Sequence, residues 1–402
     1  MSATAARELD LNTAALPFTV RASLYYAAIF GNLGIYLPFI PVWLDDRGMT
    51  PVEIGIITSA PLFIRVIATP GIAIWSDRRG DHRSTIIIGG WMGLAAAAAL
   101  IYATGFWQII ICIVLFQIAT QSIIPLTDTK MLAAAQARGV AYGQIRLWGS
   151  AAFIAANILG GMVIAGYGGA SVLVMLLGTG IATAFCAHIL PTEKRQQPDP
   201  EAPPVRQQSA REILTTLLSQ PWFVTTVLAA GLIQASHAVY YAFSAIHWRG
   251  QGISDTWIGI LWAIGVAAEI GLFAVSATLL KRFGDIGLLI VGGIGAVLRW
   301  TIMAFDPPFW MLFPLQALHA LSFAATYLGA LRLIQHRIPE SISGTAQSVH
   351  SAIATGIIMG GATLVAGKMY DSVAASSYFA MAGMGVVGVL LGCILLRQEK
   401  AK

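Results

Sequence analysis

Roughly a dozen apolar stretches, each about 18 to 25 residues long, run almost end to end through this chain, with short polar connectors between them. A bilayer core about 30 Å thick takes about 20 residues of helix. Lipid offers no partner to an unpaired backbone group, so only helices and closed barrels can cross it. Segments such as 85–104, 108–126 and 374–396 are too long and too uniformly apolar for barrel strands, which run about 10 residues and alternate. Hydrophobic residues make up 57% of the chain and charged residues 11%, where a soluble domain carries about 25% charged. The expectation is an all-α membrane protein.

Spans are predicted near 21–44, 52–75, 85–104, 108–129, 142–166, 169–190, 221–248, 256–280, 286–305, 309–333, 344–367 and 374–396, about twelve in all. One set of alternate connectors holds only Arg47, Arg249 and Lys368 as basic residues, and the other set, with both ends of the chain, holds most of the rest. The positive-inside rule then puts both termini in the cytoplasm of a multi-pass inner (plasma) membrane protein. The net charge of +5 is spread over these short loops, which argues against a nucleic-acid partner. Cys112, Cys186 and Cys393 lie in apolar helices without pairing or metal-ligand spacing. Neither a metal nor a cofactor is expected. Gly361 to Lys368 only echoes a phosphate loop, because the glycines are misspaced and Met369 stands where Ser or Thr is needed.

The long connector 191–220, rich in Pro, Gln and charge, falls mid-chain and reads as a cytoplasmic linker between an N-terminal six-helix half (1–190) and a C-terminal one (221–402). The halves echo each other, since the loop after the second span reads Asp77-Arg78-Arg79-Gly80-Asp81-His82-Arg83 and the loop after the eighth reads Lys281-Arg282-Phe283-Gly284-Asp285. Two parallel six-helix repeats resemble the plan of major facilitator transporters. In that superfamily an acidic residue with basic partners in this loop locks the cytoplasmic side, so the resemblance implies gating roles for Asp77, Arg78, Gly80 and Arg83. The match is partial: Ala73 replaces the expected glycine, and Asp81 stands at an often basic position. A topogenic loop would also explain the arginines.

Ionisable residues inside spans cost about 2.5 to 3.5 kcal/mol each near a helix centre, so they face a cavity or one another. Arg65, Asp128, Arg146, His237, Glu269, Arg299, His319, Arg332 and His350 are such residues. At helical spacing, Gln117, Gln121, Pro125 and Asp128 form one stripe, and Tyr142, Arg146, Gly149, Phe153 and Asn157 another. Further stripes are His237, Tyr241, Ser244 and Trp248; Trp262, Gly265, Glu269 and Phe273; and Gln316, His319, Phe323 and Tyr327. Together they predict an aromatic, charged cavity between the halves. Structural ion pairs, Asp128 with Arg146 and Glu269 with Arg299, are the alternative use of these charges.

Several strings carry a closer resemblance, to the proton-linked 3-phenylpropionate permease group, related to lactose permease and nucleoside symporters. They are Pro125-Leu126-Thr127-Asp128, Tyr142-Gly143-Gln144-Ile145-Arg146-Leu147-Trp148-Gly149-Ser150, His237 through Trp248, Gly265 through Glu269, and Arg299-Trp300-Thr301-Ile302-Met303. The resemblance implies a transporter rather than an enzyme, importing a small organic solute with protons by alternating access, functional as a monomer. It implies substrate contacts from Asp128 and Arg146, and proton coupling through Glu269, Arg299 and His319 with Asp128 as second carrier. Ser322 stands where the family's proton-carrying glutamate is expected, three positions after His319, which moves the expected carrier to Glu269. His237, Tyr241, Phe243, Trp262 and Gln121 are the expected lining for an aromatic carboxylic acid such as 3-phenylpropionate. Sugar, oligosaccharide or nucleoside symport, and drug-proton antiport, are the alternatives.

Overall fold

The computed structural model describes residues 16–191 and 210–400, and among these it is built of helices and turns without strands. Eleven apolar runs are long enough to cross a membrane, and the last, Ile342–Glu399, holds two helices separated by the turn Ala374–Ser377. The crossings therefore number twelve. The first half comprises α1 (Phe18–Asp46), α2 (Pro51–Arg79), α3 (His82–Tyr102), α4 (Phe106–Ala137), α5 (Tyr142–Tyr167) and α6 (Ser171–His188). The second comprises α7 (Pro221–Gly250), α8 (Asp255–Ala274, continuing as 276–283), α9 (285–303), α10 (Phe309–Arg337), α11 (340–373) and α12 (Tyr378–Lys400).

Local chemistry sets these boundaries. Thr50 and Glu53 cap α2 reciprocally, the Glu53 carboxylate accepting from the Thr50 backbone N–H at 2.8 Å and Thr50 Oγ1 accepting from the Glu53 N–H at 3.3 Å. At the other end of α2, Gly80 adopts φ +65°, and Asp81 caps α3 by accepting the Ser84 N–H at 3.0 Å. The hydrogen bonds from the Ser84 side chain and backbone hold the Asp81 carboxyl below the usual carboxylate range. Gly284 repeats the left-handed turn in the second half with φ +66°, followed again by an aspartate, Asp285. There Arg332 Nε and His336 Nδ1 of α10 reach Asp285 at 3.2 and 2.8 Å.

The expected loop 191–220 contains a helix, Ala210–Leu218, whose buried Leu217 packs with Phe223, Val227, Ile334 and Ala346. Its apolar positions fall on one face, which lets a segment of polar composition dock on the ends of α7, α10 and α11.

The main helix pairs that join the halves are α1 with α7, α2 with α11, and α5 with α8. They approach most closely near the end of the bundle opposite the described chain ends. A Cβ on Gly55 would lie 2.8 Å from Gly367 Cα, while one on Gly161 or Gly259 would fall on the carbonyl oxygen of Asp255 or Asn157. Arg249 clasps this closed end. Its Nε and Nη2 donate to the two Asp255 oxygens at 3.1 and 3.0 Å, and its Nη1 donates to Asp46 Oδ1 at 2.8 Å across the boundary between halves.

Charge-assisted hydrogen bonds of this kind contribute about 1 to 2 kcal/mol when partly screened. Arg249→Gln should therefore loosen the closed end, and spin labels at the exposed positions Val52 and Gln251 should report a longer, broader distance distribution than in the parent protein. An unchanged distribution would leave the glycine contacts as the whole seal.

Candidate functional site

Two clusters of charged and polar groups stand out in the interior, one in each half. The first forms where α1, α4 and α5 meet. α4 is interrupted at Ser122, and Asp128 lies beyond that break. Asp128 Oδ1 accepts from the hydroxyls of Tyr26 at 2.7 Å and Tyr142 at 2.9 Å. Arg146 Nε stands 3.8 Å from the same oxygen, too far for a hydrogen bond. The expected Asp128–Arg146 pair thus exists as a loose ion pair. The Arg146 guanidinium instead lies 3.8 Å above the Phe30 ring, with 30% of its side chain exposed and its terminal nitrogens without a hydrogen bond among the described residues. Gly149 makes the space, for a Cβ there would sit 3.1 Å from Arg146 Nη1.

The second cluster is a directed hydrogen-bond chain through α7, α8, α9 and α10. α7 is broken at Ser236–His237, which turns the His237 Nδ1–H to the Gln234 carbonyl at 2.9 Å. His237 Nε2 must then accept, and Ser322 Oγ donates to it at 3.0 Å. Arg299 carries donors only, so its Nη1 at 2.9 Å makes His319 Nδ1 an acceptor and leaves His319 Nε2–H to donate to Glu269 Oε1 at 2.8 Å. Nη2 of Arg299 donates to Gln316 Oε1 at 2.7 Å. The guanidinium also lies 4.6 Å from the Tyr240 ring centroid and 4.4 Å from that of Trp300, so aromatic faces share its charge.

These contacts replace the alternative of a direct Glu269–Arg299 ion pair with one through the His319 ring, which is interposed between them. The π-helical turn Ala320–Ala325 begins beside His319 and widens α10. It also bends the predicted stripe: Gln316 and His319 serve Arg299, Phe323 stacks on His319 at 5.3 Å, and Tyr327 comes within electrostatic reach of Asp128 and Arg146 in the other half.

Exposure grades along the chain. Side-chain exposure is 17% at Glu269 and 9% at His319, and Arg299 is fully buried. Glu269 is therefore the end that an interior space can reach. Tyr241, half-buried, stacks on the enclosed His237 at 5.5 Å, and Trp262 stacks on Tyr240 at 4.6 Å. Gln121 is half-buried on α4. Phe243 does not join the group; it is buried and stacked on Tyr370 at 4.5 Å, near the His247–Asp306 contact at the closed end.

The loop residues also act locally. Asp77 pairs with His82 at 2.8 Å, and Arg83 caps the end of α6 by donating to the carbonyls of His188 and Leu190. Arg78 follows Asp77 in the last turn of α2. Sequence reasoning missed Tyr26 and Phe30, whose spacing of four on α1 was the available signal, and Tyr240, hidden in an aromatic run.

The family model described as "MFS_1 like family" matches residues 19–381. The chain belongs to this family of major facilitator transporters. It is 30% identical over 377 residues to a probable 3-phenylpropionic acid transporter of Escherichia coli (strain K12), covering 92% of this chain and 96% of that one. It is 26% identical to a maltose permease of Geobacillus stearothermophilus, with 94% of each chain covered. Among solved structures, a mutant of the nucleoside transporter NupG superposes with a TM-score of 0.76 at 16% identity, covering 94% of this chain and 100% of that one. The family and the fold make this chain a multi-pass membrane transporter of a small molecule, not an enzyme.

The hydrogen-bond chain makes a stability prediction. Arg299→Gln leaves His319 Nδ1 without its donor and Glu269 without a nearby cation, at a cost of about 3 to 5 kcal/mol. Its melting temperature in detergent should fall further than that of Glu269→Gln. The double variant should melt close to Arg299→Gln alone, because both changes break one chain; additive losses would show the two residues to be independent.

Proposed function

We propose that this transporter imports an organic carboxylate, most favourably an aromatic acid of the 3-phenylpropionate class, by proton symport through alternating access. The observation that carries the reading is Arg146, a guanidinium held over Phe30 with free terminal donors beside a carboxylate it does not fully engage. Such a group offers a two-donor fork that matches a carboxylate, and aromatic faces beside it suit a ring. The likeness to the Escherichia coli protein named for 3-phenylpropionic acid supports the same solute class.

In this reading Asp128, Tyr26 and Tyr142 orient Arg146, while Gln121, Tyr241 and Trp262 line the solute's path. His237 acts behind Tyr241 by holding Ser322. Glu269 takes up and releases the proton, with Asp128 as second carrier. His319 is a poor carrier in the arrangement seen, since Arg299 already donates to its Nδ1. Moving Arg299 and His319 relative to Glu269 changes how well the carboxylate's charge is compensated, which is how a rocking motion would couple to protonation.

The protein resides in the inner membrane as a monomer with both termini cytoplasmic, in keeping with its asymmetry of basic loops. Asp77, Arg78, Gly80 and Arg83 would gate by re-pairing when the cytoplasmic ends approach. Proton-coupled sugar, oligosaccharide or nucleoside symport is the second reading, carried by the likeness to the maltose permease.

A monoanion moving with one proton is electrically neutral, so each pH unit drives about tenfold accumulation, worth about 1.4 kcal/mol. Proteoliposomes with an inward proton gradient should accumulate radiolabelled 3-phenylpropionate, and a protonophore should abolish accumulation. Arg146→Lys should reduce uptake by about tenfold or more despite the retained charge, because the fork is lost. Glu269→Gln should abolish uphill uptake but retain exchange. Uptake of a sugar or nucleoside in place of the acid would establish the second reading.

A further inference from the structure

Arg65 is the central residue of α2, 14 positions from both Pro51 and Arg79, and the proposed mechanism does not use it. A charge at that depth costs several kcal/mol unless something compensates it. Arg249 and Arg299 are both compensated by named partners; Arg65 is not. Its Nε is buried without any hydrogen-bond partner, and no carboxylate among the described residues pairs with it. The side chain is only partly enclosed, so its terminal nitrogens remain approachable.

The surroundings are polar in a way that suits an anion. Arg65 shares a helix face with Thr69, whose hydroxyl meets Ser122 Oγ at 2.8 Å, so this face looks toward α4. Arg65 lies four residues before Thr69 and Gln117 five before Ser122 on two helices that run the same way, so both sit at one depth, and Tyr36 of α1 lies beside Gln117. Both are nine-tenths or more buried, at 5% and 8% exposure, and Gln117 Oε1 has no partner. Tyr36 stacks on Phe116 at 5.3 Å, which fixes the ring and aims its hydroxyl. Three helices thus bring together a guanidinium, a phenol and a carboxamide that can all donate hydrogen bonds, with no internal acid to receive them.

We propose that Arg65, Tyr36 and Gln117 form a second carboxylate-binding position in the first half, distinct from the one at Arg146. The proposal rests on the organic-anion reading above and deepens it. The solute's carboxylate completes the charge that α2 leaves unmatched, so this position favours the acid over a neutral isostere.

The test is binding of 3-phenylpropionate and of neutral 3-phenylpropionamide to the purified full-length protein, followed by tryptophan fluorescence, for the parent, Arg65→Gln and Gln117→Glu. Arg65→Gln should weaken acid binding at least tenfold and leave the amide within about twofold, a loss worth about 1.4 kcal/mol or more. Gln117→Glu supplies Arg65 with an internal carboxylate, so it should raise the melting temperature and still weaken acid binding at least tenfold. That opposite movement of stability and affinity is not expected of a residue that merely packs. In an Arg146→Gln background, the remaining preference for acid over amide should vanish on adding Arg65→Gln. Unchanged acid affinity in Arg65→Gln, or an equal loss for acid and amide, would overturn the proposal. If Arg65→Gln fails to fold, Gln117→Glu decides alone, with unchanged acid affinity as the negative result. A parent protein that binds neither ligand would instead overturn the organic-anion reading, and this position with it.

Discussion

A fully buried guanidinium in a membrane interior has to be neutralised on the spot, and around Arg299 that requirement organises the second half of the protein. Gln316 and His319 accept its hydrogen bonds, Tyr240 and Trp300 lend their faces, and Glu269 returns a negative charge through the His319 ring. Four helices, α7 to α10, contribute to this one charge. Two irregularities accompany it: α7 breaks at Ser236–His237, and α10 widens by a π-turn just after His319. Trp300, packed by the same cluster, donates to Ser236 at 2.8 Å beside the α7 break and stacks on Tyr378 of α12, carrying the order outward.

The halves share a plan but divide the chemistry. Both turn with a left-handed glycine followed by aspartate, at Gly80–Asp81 and Gly284–Asp285, and both interrupt the fourth helix of the repeat, α4 at Ser122 and α10 at Ala320–Ala325. The first half keeps Arg146 loosely paired and part-exposed, whereas the second buries Arg299 completely. Loose charges suit a ligand that comes and goes, and a closed, directed hydrogen-bond chain suits a proton whose position must be controlled. Tyr327 of α10 lies within electrostatic range of Asp128 and Arg146 in the first half.

Much of this was legible in the sequence. Span lengths and loop charges predicted the all-α membrane class, and the periodic stripes placed Asp128, Arg146, Glu269 and His319 on interior faces. The division between 1–190, the linker and 221–402 remains a reading of composition, and most of that linker lies outside the described residues. What periodicity could not show was register through an irregular helix. The Glu269–Arg299 ion pair, the alternative use of those charges, gives way to a bridge through His319, and which of two facing groups a side chain meets is not written in the period. Phe243 shares a string with Tyr241 but, two positions away, points to a different face. Tyr26 and Phe30 were passed over because aromatic residues in a first span are commonly packing groups, and only the fold shows them beneath Asp128 and Arg146.

The closed end adds a constraint on motion. Where a Cβ would strike backbone atoms, as at Gly161, Gly259, Gly55 and Gly367, the halves touch along their main chains, and such surfaces can separate or roll but cannot compress. Arg249, Asp46 and Asp255 sit at the rim of the same contact, so opening there must break charge-assisted bonds as well as glycine packing. A solute that is to open this end must bind more tightly when it is open, because a ligand shifts an equilibrium only by its differential affinity. The interior groups best placed to supply that difference are those shared between halves, Arg146 and Asp128 facing Tyr327. Under the proposed symport, coupling of solute to conformation would concentrate at these groups, and α10 would join them to Glu269 through His319.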